Sequence, residues 1–284
     1  MLNQYLILIR PKSWVKNIII VIPFLLGKKF NSIDGFNILI GIISFSLMSS
    51  VCYILNDIVD IDIDRQHAIK KYRPLANATV NINNSILFAI ILFITSLFLC
   101  YIINKYAVLI LLFYFILNYT YTNFIKHIRF IDIIILSSFY ILRVIYGSYL
   151  VNVTLSGWFV STLTMVVLSL SINKRYLELK VNQYEKLPGR NYHKDDEMFL
   201  YTFMINFSIA ALLLLNIHAY FVLQIQSYLF YCFINLIIPA IIFYYFDNTH
   251  IHSDDPVEKI IKNKRLLFFI IILLVIYYFE ILYK

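Results

Sequence analysis

The sequence predicts an all-α integral membrane protein with nine transmembrane helices, and three observations carry that prediction. The 284 residues are 61% hydrophobic and only 14% charged, with a mean hydropathy of +0.78; a soluble domain is ~45–50% apolar and ~25% charged. Apolar runs close to the ~20 residues that a bilayer core of ~30 Å requires recur along the chain. The cations sort to one side of those runs. Together these exclude a soluble globular enzyme, a disordered chain and a nucleic-acid binder, so the net charge of +8 needs no nucleic acid to explain it.

The elements follow in order. Met1 to Arg10 lacks the small-residue cleavage site of a signal peptide and reads as a short interfacial helix leading into the first span, 14–27. Further spans fall at about 36–57, 82–103, 106–125, 130–150, 156–173, 198–218, 226–246 and 265–283, giving one polytopic domain over 1–284 without repeats or low-complexity segments. Pro23 interrupts the first span and Pro239 the eighth, which membrane helices tolerate when neighbours re-satisfy the backbone.

Charge sets the orientation. Of the 24 Lys and Arg, 19 fall on the side of the N-terminus; Lys28, Lys29, Lys105 and Lys284 fall on the other, and Arg143 lies inside a span. An excess of Lys and Arg marks cytoplasmic loops. The expected arrangement in a cell membrane has the N-terminus in the cytoplasm and the C-terminus outside. The loops 58–81, 174–197 and 247–264 are long and rich in Asp, Lys, Arg and His, so the active site is expected on the cytoplasmic side. Cys52, Cys100 and Cys232 lie in apolar stretches without metal or disulfide spacing, and no His/Cys set has zinc spacing.

The segment Asn56-Asp57-Ile58-Val59-Asp60-Ile61-Asp62-Ile63-Asp64 follows directly on the second span. On a helix at 100° per residue, Asn56, Asp57, Asp60 and Asp64 fall within about 100° of one another, whereas Asp62 points elsewhere. Clustered carboxylates at a membrane interface repel one another and need a cation. A hard divalent ion with oxygen ligands fits, and Mg²⁺ bound by a few carboxylates plus substrate phosphates is a common arrangement. The plainer reading is a solvated helix end neutralised by Arg65, Lys70 and Lys71.

Arg65, Lys70, Lys71 and Arg73 follow within ten residues; Arg suits bidentate phosphate contacts, and Pro74 stiffens the turn after Arg73. Topology alone also accounts for cations here. Arg143 is costly inside a span and reads as functional by default, or as one half of a buried ion pair. It lies about 20° from Asp132 around one helix and ~16 Å along it. Glu178 suits substrate binding or an i, i+4 pair with Lys174. His67 and His127 are loop residues beside the proposed site, either touching phosphate or merely solvated; His218, His250 and His252 lie away from it.

Asn56-Asp57-x-x-Asp60-x-x-x-Asp64 followed by Arg73-Pro74, after the second of nine spans, resembles the UbiA superfamily of intramembrane prenyltransferases. Most members carry a second aspartate motif after the sixth span; here that expected loop begins Asn173-Lys174-Arg175-Tyr176-Leu177-Glu178. The departure is similar to one branch, the decaprenyl-phosphate phosphoribosyltransferases. Further stretches similar to that branch are Arg10-Pro11-Lys12-Ser13-Trp14-Val15-Lys16-Asn17, Tyr121-Thr122 with Lys126 and Asp132, Leu142-Arg143 with Gly147, and Asp255-Pro256-Val257-Glu258 with Lys264-Arg265-Leu266. Ala68 and Asn77 stand where the branch usually has Pro and Gly.

The resemblance implies nine helices around a central cavity opening to the cytoplasm. It implies transfer of 5-phosphoribose from phosphoribosyl pyrophosphate to polyprenyl phosphate, with Mg²⁺ (Mn²⁺ as a substitute) as cofactor. Asp57, Asp60 and Asp64 would be catalytic and, with Asn56, would hold the metal. Lys16, Asn56, Arg65, Arg73, Tyr121, Lys126, Asp132, Arg143, Lys174, Arg175 and Glu178 would bind substrate. Partners are the two substrates and membrane lipid, with a homo-oligomer left open. Two rival readings are an aromatic prenyltransferase, disfavoured by the missing second motif, and a transporter, disfavoured because the charges gather at span ends.

Overall fold

The computed structural model describes residues 2–27, 31–66, 70–182, 185–187, 190–247, 263–265, 267–269, 271–272 and 275–276. His67, Ala68, His250, His252, the stretch from Asp255 to Glu258 and most of the span expected at 265–283 lie outside them. Among the described residues the protein is all-α apart from one isolated bridge, Lys186 to His193. The helices are α1 (Leu2–Leu8), α2 (Ile22–Leu26), α3 (Ser32–Val59), α4 (Ile61–Gln66), α5 (Ile82–Ile103), α6 (Lys105–Asn123), α7 (Ile131–Leu150), α8 (Gly157–Asn182), α9 (Asp196–Ile217) and α10 (Tyr228–Asp247). Among the described residues, five stretches are long and apolar enough to cross a membrane: α3, α5, α6, α7 and Asp196–Val222, where a π-helical turn extends α9.

Asparagine starts three of these helices. Asn31, Asn81 and Asn104 each accept a backbone N–H of the first turn, at 2.6, 2.8 and 2.8 Å, satisfying a donor that would otherwise be stranded near lipid. Asn104 also closes α5, so the chain reverses from α5 into α6 on a single residue.

Two expectations need correction. The span expected at 14–27 is a 3-10 helix over Pro11–Val21 continued by the short α2. At ~2.0 Å per residue the 3-10 stretch covers ~22 Å and α2 about 7 Å more, so sixteen residues reach the ~30 Å of a bilayer core. Nor does the sixth helix end at 173: α8 runs on to Asn182, and the Asn173–Glu178 segment is helical, not a loop. Its charges pair with one another and with neighbours, so they need no water and the helix continues.

The chain divides into two compact units. The first comprises 1–128 and 142–155, the second 129–141 and 156–284, with α7 contributing one half to each. In the first, α3 packs on α5 and α6. Ser44 Oγ donates to the Ser96 carbonyl at 2.8 Å and Ser96 Oγ to that of Ser44 at 2.7 Å, a small-residue contact that brings α3 and α5 close together. Gly147 is required: a Cβ there would sit 2.2 Å from the Ile20 carbonyl oxygen. Leu8, Val51, Ile54, Leu75 and Ala89 form the core beneath the acidic segment. In the second unit α8 packs on α9, with Ser169 and Ser208 hydroxyls 2.7 Å apart. Its core of Ile133, Ile172, Tyr176, Leu179, Leu187, Tyr192, Leu200 and Met204 takes in the segment after α8.

Candidate functional site

The acidic segment straddles a helix break. α3 ends at Val59, Asp60 caps it with φ −94° and ψ 8°, and α4 begins at Ile61. The hydrogen-bond ladder nevertheless continues, Asp60 N–H to Asn56 O at 2.9 Å and Asp64 N–H to Asp60 O at 2.8 Å, so the helical register survives the bend. Asp57 and Asp64 are 3% and 2% exposed. Asp62 is turned outward, its side chain 90% exposed and paired with Arg65 at 3.3 Å. The helical-face reading is met.

Three cations meet the three acids. Arg73 Nη1 donates to Asp57 Oδ1 at 3.1 Å and to Asp64 Oδ2 at 2.6 Å. Lys126 Nζ donates to Asp60 Oδ1 at 2.7 Å. Arg10 Nη2 pairs with Asp57 Oδ1 and its guanidinium lies 5.0 Å above the Tyr53 ring. Asn56 Nδ2 reaches Asp60 Oδ2 at 3.1 Å, and Thr122 Oγ1 donates to Asn56 Oδ1 at 3.4 Å. Arg73 is placed by Pro74, whose carbonyl accepts the N–H groups of Thr79 and Val80. Of the cations expected for plain neutralisation, Arg65 pairs with Asp62 and donates to the Ala76 carbonyl at 3.2 Å, and Lys71 lies over the Tyr72 ring. Arg10 was missed as a site residue, because 47 positions separate it from Asp57.

Lys16 and Tyr121 are half-buried in the first unit, on the 3-10 stretch and on α6. Arg143 is buried there too. Its Nε donates to Asn17 Oδ1 at 2.8 Å and Nη2 to the Tyr114 hydroxyl at 3.2 Å, and its guanidinium faces the Phe45 and Tyr114 rings at 5.1 and 5.3 Å. Beside the acids, Cys52, Leu55, Ile58 and Val59 of α3 and Phe115, Asn118, Tyr119, Thr122 and Asn123 of α6 line an apolar cleft of about 90 Å³.

The second unit holds a separate charged network. Arg175, wholly buried, donates from Nε to Asp132 Oδ2 at 2.7 Å and from Nη1 to Glu178 Oε2 at 2.6 Å. Arg190 Nη1 reaches Asp132 Oδ2 at 3.3 Å, and the Tyr192 hydroxyl donates to Asp132 Oδ1 while accepting from the Phe130 N–H at 2.8 Å. Burial and the bond to Asp132 push the Tyr192 phenol upward in pKa, keeping it a donor. Burial alone would raise the Glu178 carboxyl, but Arg175, Lys174 and Arg190 outweigh it and hold Glu178 below the usual carboxylate range. Glu178 thus pairs with Arg175, and Lys174 adds its charge. Arg190 and Tyr192 were not anticipated, since they reach Asp132 from 58 and 60 residues away. Asn173 is 1% exposed and its Nδ2 has no hydrogen-bond partner among the described residues, an open donor suited to a ligand oxygen.

For a divalent ion, the donor chemistry fits: Asn56, Asp57, Asp60 and Asp64 offer only hard oxygens. Among the described residues no three His, Cys, Asp or Glu side chains converge on one metal position. Asp57 and Asp64, however, already share one cation, the Arg73 guanidinium. That bridged pair, with Asp60 and Asn56 alongside, is where the chain would hold the ion.

A family model described as the UbiA prenyltransferase family matches residues 17–273. The chain is 30% identical over 176 residues to the decaprenyl-phosphate phosphoribosyltransferase of Mycobacterium tuberculosis, a match covering 60% of this chain and 58% of that protein. The chain therefore spans little more than half that relative's length. Among solved structures, a digeranylgeranylglyceryl phosphate synthase in membranes is similar at a TM-score of 0.70 and 20% identity, covering 100% of this chain and 99% of that one. A UbiA homolog from Archaeoglobus fulgidus bound to GPP and Mg²⁺ is similar at 0.68 and 19%, covering 99% and 100%. These likenesses show the fold.

Proposed function

The chain belongs to the UbiA prenyltransferase family, and from that premise we propose that it transfers 5-phosphoribose from phosphoribosyl pyrophosphate to a polyprenyl phosphate. The observation that carries this reading is the pairing on α8. Where most of the family has a second acidic motif, Arg175 lies between Asp132 and Glu178 and pairs with both. The lack of a second acidic motif at that position resembles the phosphoribosyltransferase branch of the family. The relatives named decaprenyl-phosphate phosphoribosyltransferase support the same reading.

In this reading Asp57 and Asp64, with Asp60 and Asn56, would hold Mg²⁺ (or Mn²⁺), which would supply Lewis-acid neutralisation of the pyrophosphate charge. Lys126 and Arg73 bind phosphate oxygens at the cluster. An anionic oxygen of the lipid phosphate attacks C1 of the ribose. The C1–O bond to pyrophosphate breaks with its electron pair leaving on that oxygen, and positive character develops at C1 as in other glycosyl transfers. The nucleophile already carries its charge, so no side chain has to remove a proton. Asn56, Thr122 and the cleft between α3 and α6 shape the wall beside the acids. The site faces the cytoplasm of a cell membrane, with the N-terminus on that side and a central cavity enclosed by nine spans.

The test is direct: purified protein, Mg²⁺, labelled phosphoribosyl pyrophosphate and polyprenyl phosphate should give lipid-linked phosphoribose and free pyrophosphate. The second reading, prenyl transfer to an aromatic ring, draws on the Archaeoglobus homolog, whose structure holds GPP and Mg²⁺. Labelled prenyl diphosphate with 4-hydroxybenzoate would give prenylated product if that reading held.

A further inference from the structure

Arg10 has no part in the reaction as described, yet the backbone is strained to place it. It adopts φ 49° and ψ 62°, a left-handed conformation that costs a non-glycine residue ~1–3 kcal/mol and persists only where the surroundings impose it. It also precedes Pro11, and a residue in that position favours an extended backbone. Its neighbours supply the constraint. Ser50 Oγ donates to the Ile9 carbonyl at 2.8 Å, the Ser13 N–H donates to the Arg10 carbonyl at 2.9 Å, and the side chain ends on Asp57 above the Tyr53 ring.

Asp57 Oδ1 therefore carries two guanidinium groups, those of Arg10 and Arg73. With Asp64 included, two carboxylates face two guanidiniums and the buried cluster is neutral. A divalent ion on the same carboxylates would neutralise them by itself. Both arginines, themselves a quarter exposed, would then be surplus positive charge beside two almost wholly enclosed carboxylates, a charge that an anion would compensate. A guanidinium released from a carboxylate is suited by its planar fork to a phosphate.

We propose that Arg10 is a pyrophosphate-binding residue stored on Asp57: a metal ion displaces it, and it turns to the pyrophosphate that accompanies the metal. Arg10 and the ion compete for Asp57, whereas Arg10 and the pyrophosphate attract. Metal and pyrophosphate accordingly bind with positive coupling that depends on Arg10. This rests on the reading of the acidic cluster as a metal-pyrophosphate site.

The experiment uses the full chain in detergent, with Mn²⁺ binding followed by electron paramagnetic resonance and labelled inorganic pyrophosphate binding by equilibrium dialysis in Mg²⁺. Arg10→Gln should bind Mn²⁺ alone about tenfold more tightly than the wild type and pyrophosphate at least about tenfold more weakly, the scale of one charge-assisted hydrogen bond. Arg10→Lys, which keeps the charge and the packing of the stem, should recover part of the pyrophosphate affinity. It also serves if Arg10→Gln does not fold. Unchanged or weaker Mn²⁺ binding in Arg10→Gln overturns the storage role, and unchanged pyrophosphate binding overturns the ligand role. Wild-type protein that binds neither probe overturns the metal-pyrophosphate reading itself, which separates the two failures.

Discussion

Arg73 Nη1 donates to Asp57 Oδ1 at 3.1 Å and to Asp64 Oδ2 at 2.6 Å, so one guanidinium ties the last turn of α3 to α4 across the bend at Asp60. Removing it leaves Asp64 without that partner and Asp57 with less compensation, both nearly inaccessible to water. Breaking a buried pair from one side costs ~3–5 kcal/mol; Arg73 itself is a quarter exposed, so about half that is expected. Arg73→Ala should lower the thermal midpoint in detergent and abolish transfer. Arg73→Lys should keep most of the stability but not the activity, because an ammonium lacks the fork.

The acids divide by orientation. Asp57→Asn or Asp60→Asn should lower the transfer rate at least ~100-fold, since charge stabilisation at a metal site is worth several kcal/mol. Asp62→Asn should stay close to wild type, because that side chain is exposed and pairs only loosely with Arg65. Equal losses in a side-by-side rate assay would refute the shared face.

The network on α8 makes stability depend on pH in a stated direction. The Glu178 carboxyl titrates below its ordinary value in the fold, so its contribution is complete above the usual glutamate pKa and is lost as pH falls through the folded one. The thermal midpoint should drop as the medium is acidified below about pH 4.5. Glu178→Gln should start lower at neutral pH and lose less on acidification. Parallel curves for the two proteins would count against this pairing.

Tyr192 connects the segment after α8 to α7 by accepting from Phe130 and donating to Asp132. Phe130 sits at φ 66°, a strained backbone for a bulky residue that this bond helps to hold. Tyr192→Phe removes both links and should cost ~1–3 kcal/mol, the range for stranding buried polar groups. Limited proteolysis should then cut between 185 and 196 faster than in the wild type.

Gly147→Ala tests the close approach of the 3-10 stretch to α7. The new Cβ would meet the Ile20 carbonyl oxygen, which belongs to the backbone and cannot rotate away. A loss of ~1–3 kcal/mol, the usual cost of overpacking, should appear as a lower thermal midpoint.

Much of the architecture was legible because lipid imposes length and composition. The span expected at 82–103 coincides with α5, an apolar run set between Asn81 and Asn104, and that at 130–150 nearly so with α7, whose apolar character outweighs Asp132 and Arg143 within it. The face shared by Asp57, Asp60 and Asp64 was legible because it depends only on helical periodicity. What stayed hidden depends on contacts distant in sequence. Arg10 looked like a topology-setting charge until Asp57, 47 residues on, gave it a partner. Lys174, Arg175 and Glu178 looked like the start of a solvated loop because charge usually means water; Asp132, Arg190 and Tyr192 satisfy that network from elsewhere in the chain, and the helix runs on. The 3-10 stretch over Pro11–Val21 escaped notice because its apolar pattern matches that of an ordinary span.

The most direct test supplies purified protein with Mg²⁺, ribose-labelled phosphoribosyl pyrophosphate and polyprenyl phosphates of several chain lengths, alongside an active phosphoribosyltransferase as control. The account predicts label transferred into a lipid-phosphate product, equimolar release of pyrophosphate, and loss of both in Asp57→Asn. No labelled lipid at any chain length while the control is active, or a prenylated aromatic product in a parallel reaction with prenyl diphosphate, would contradict it.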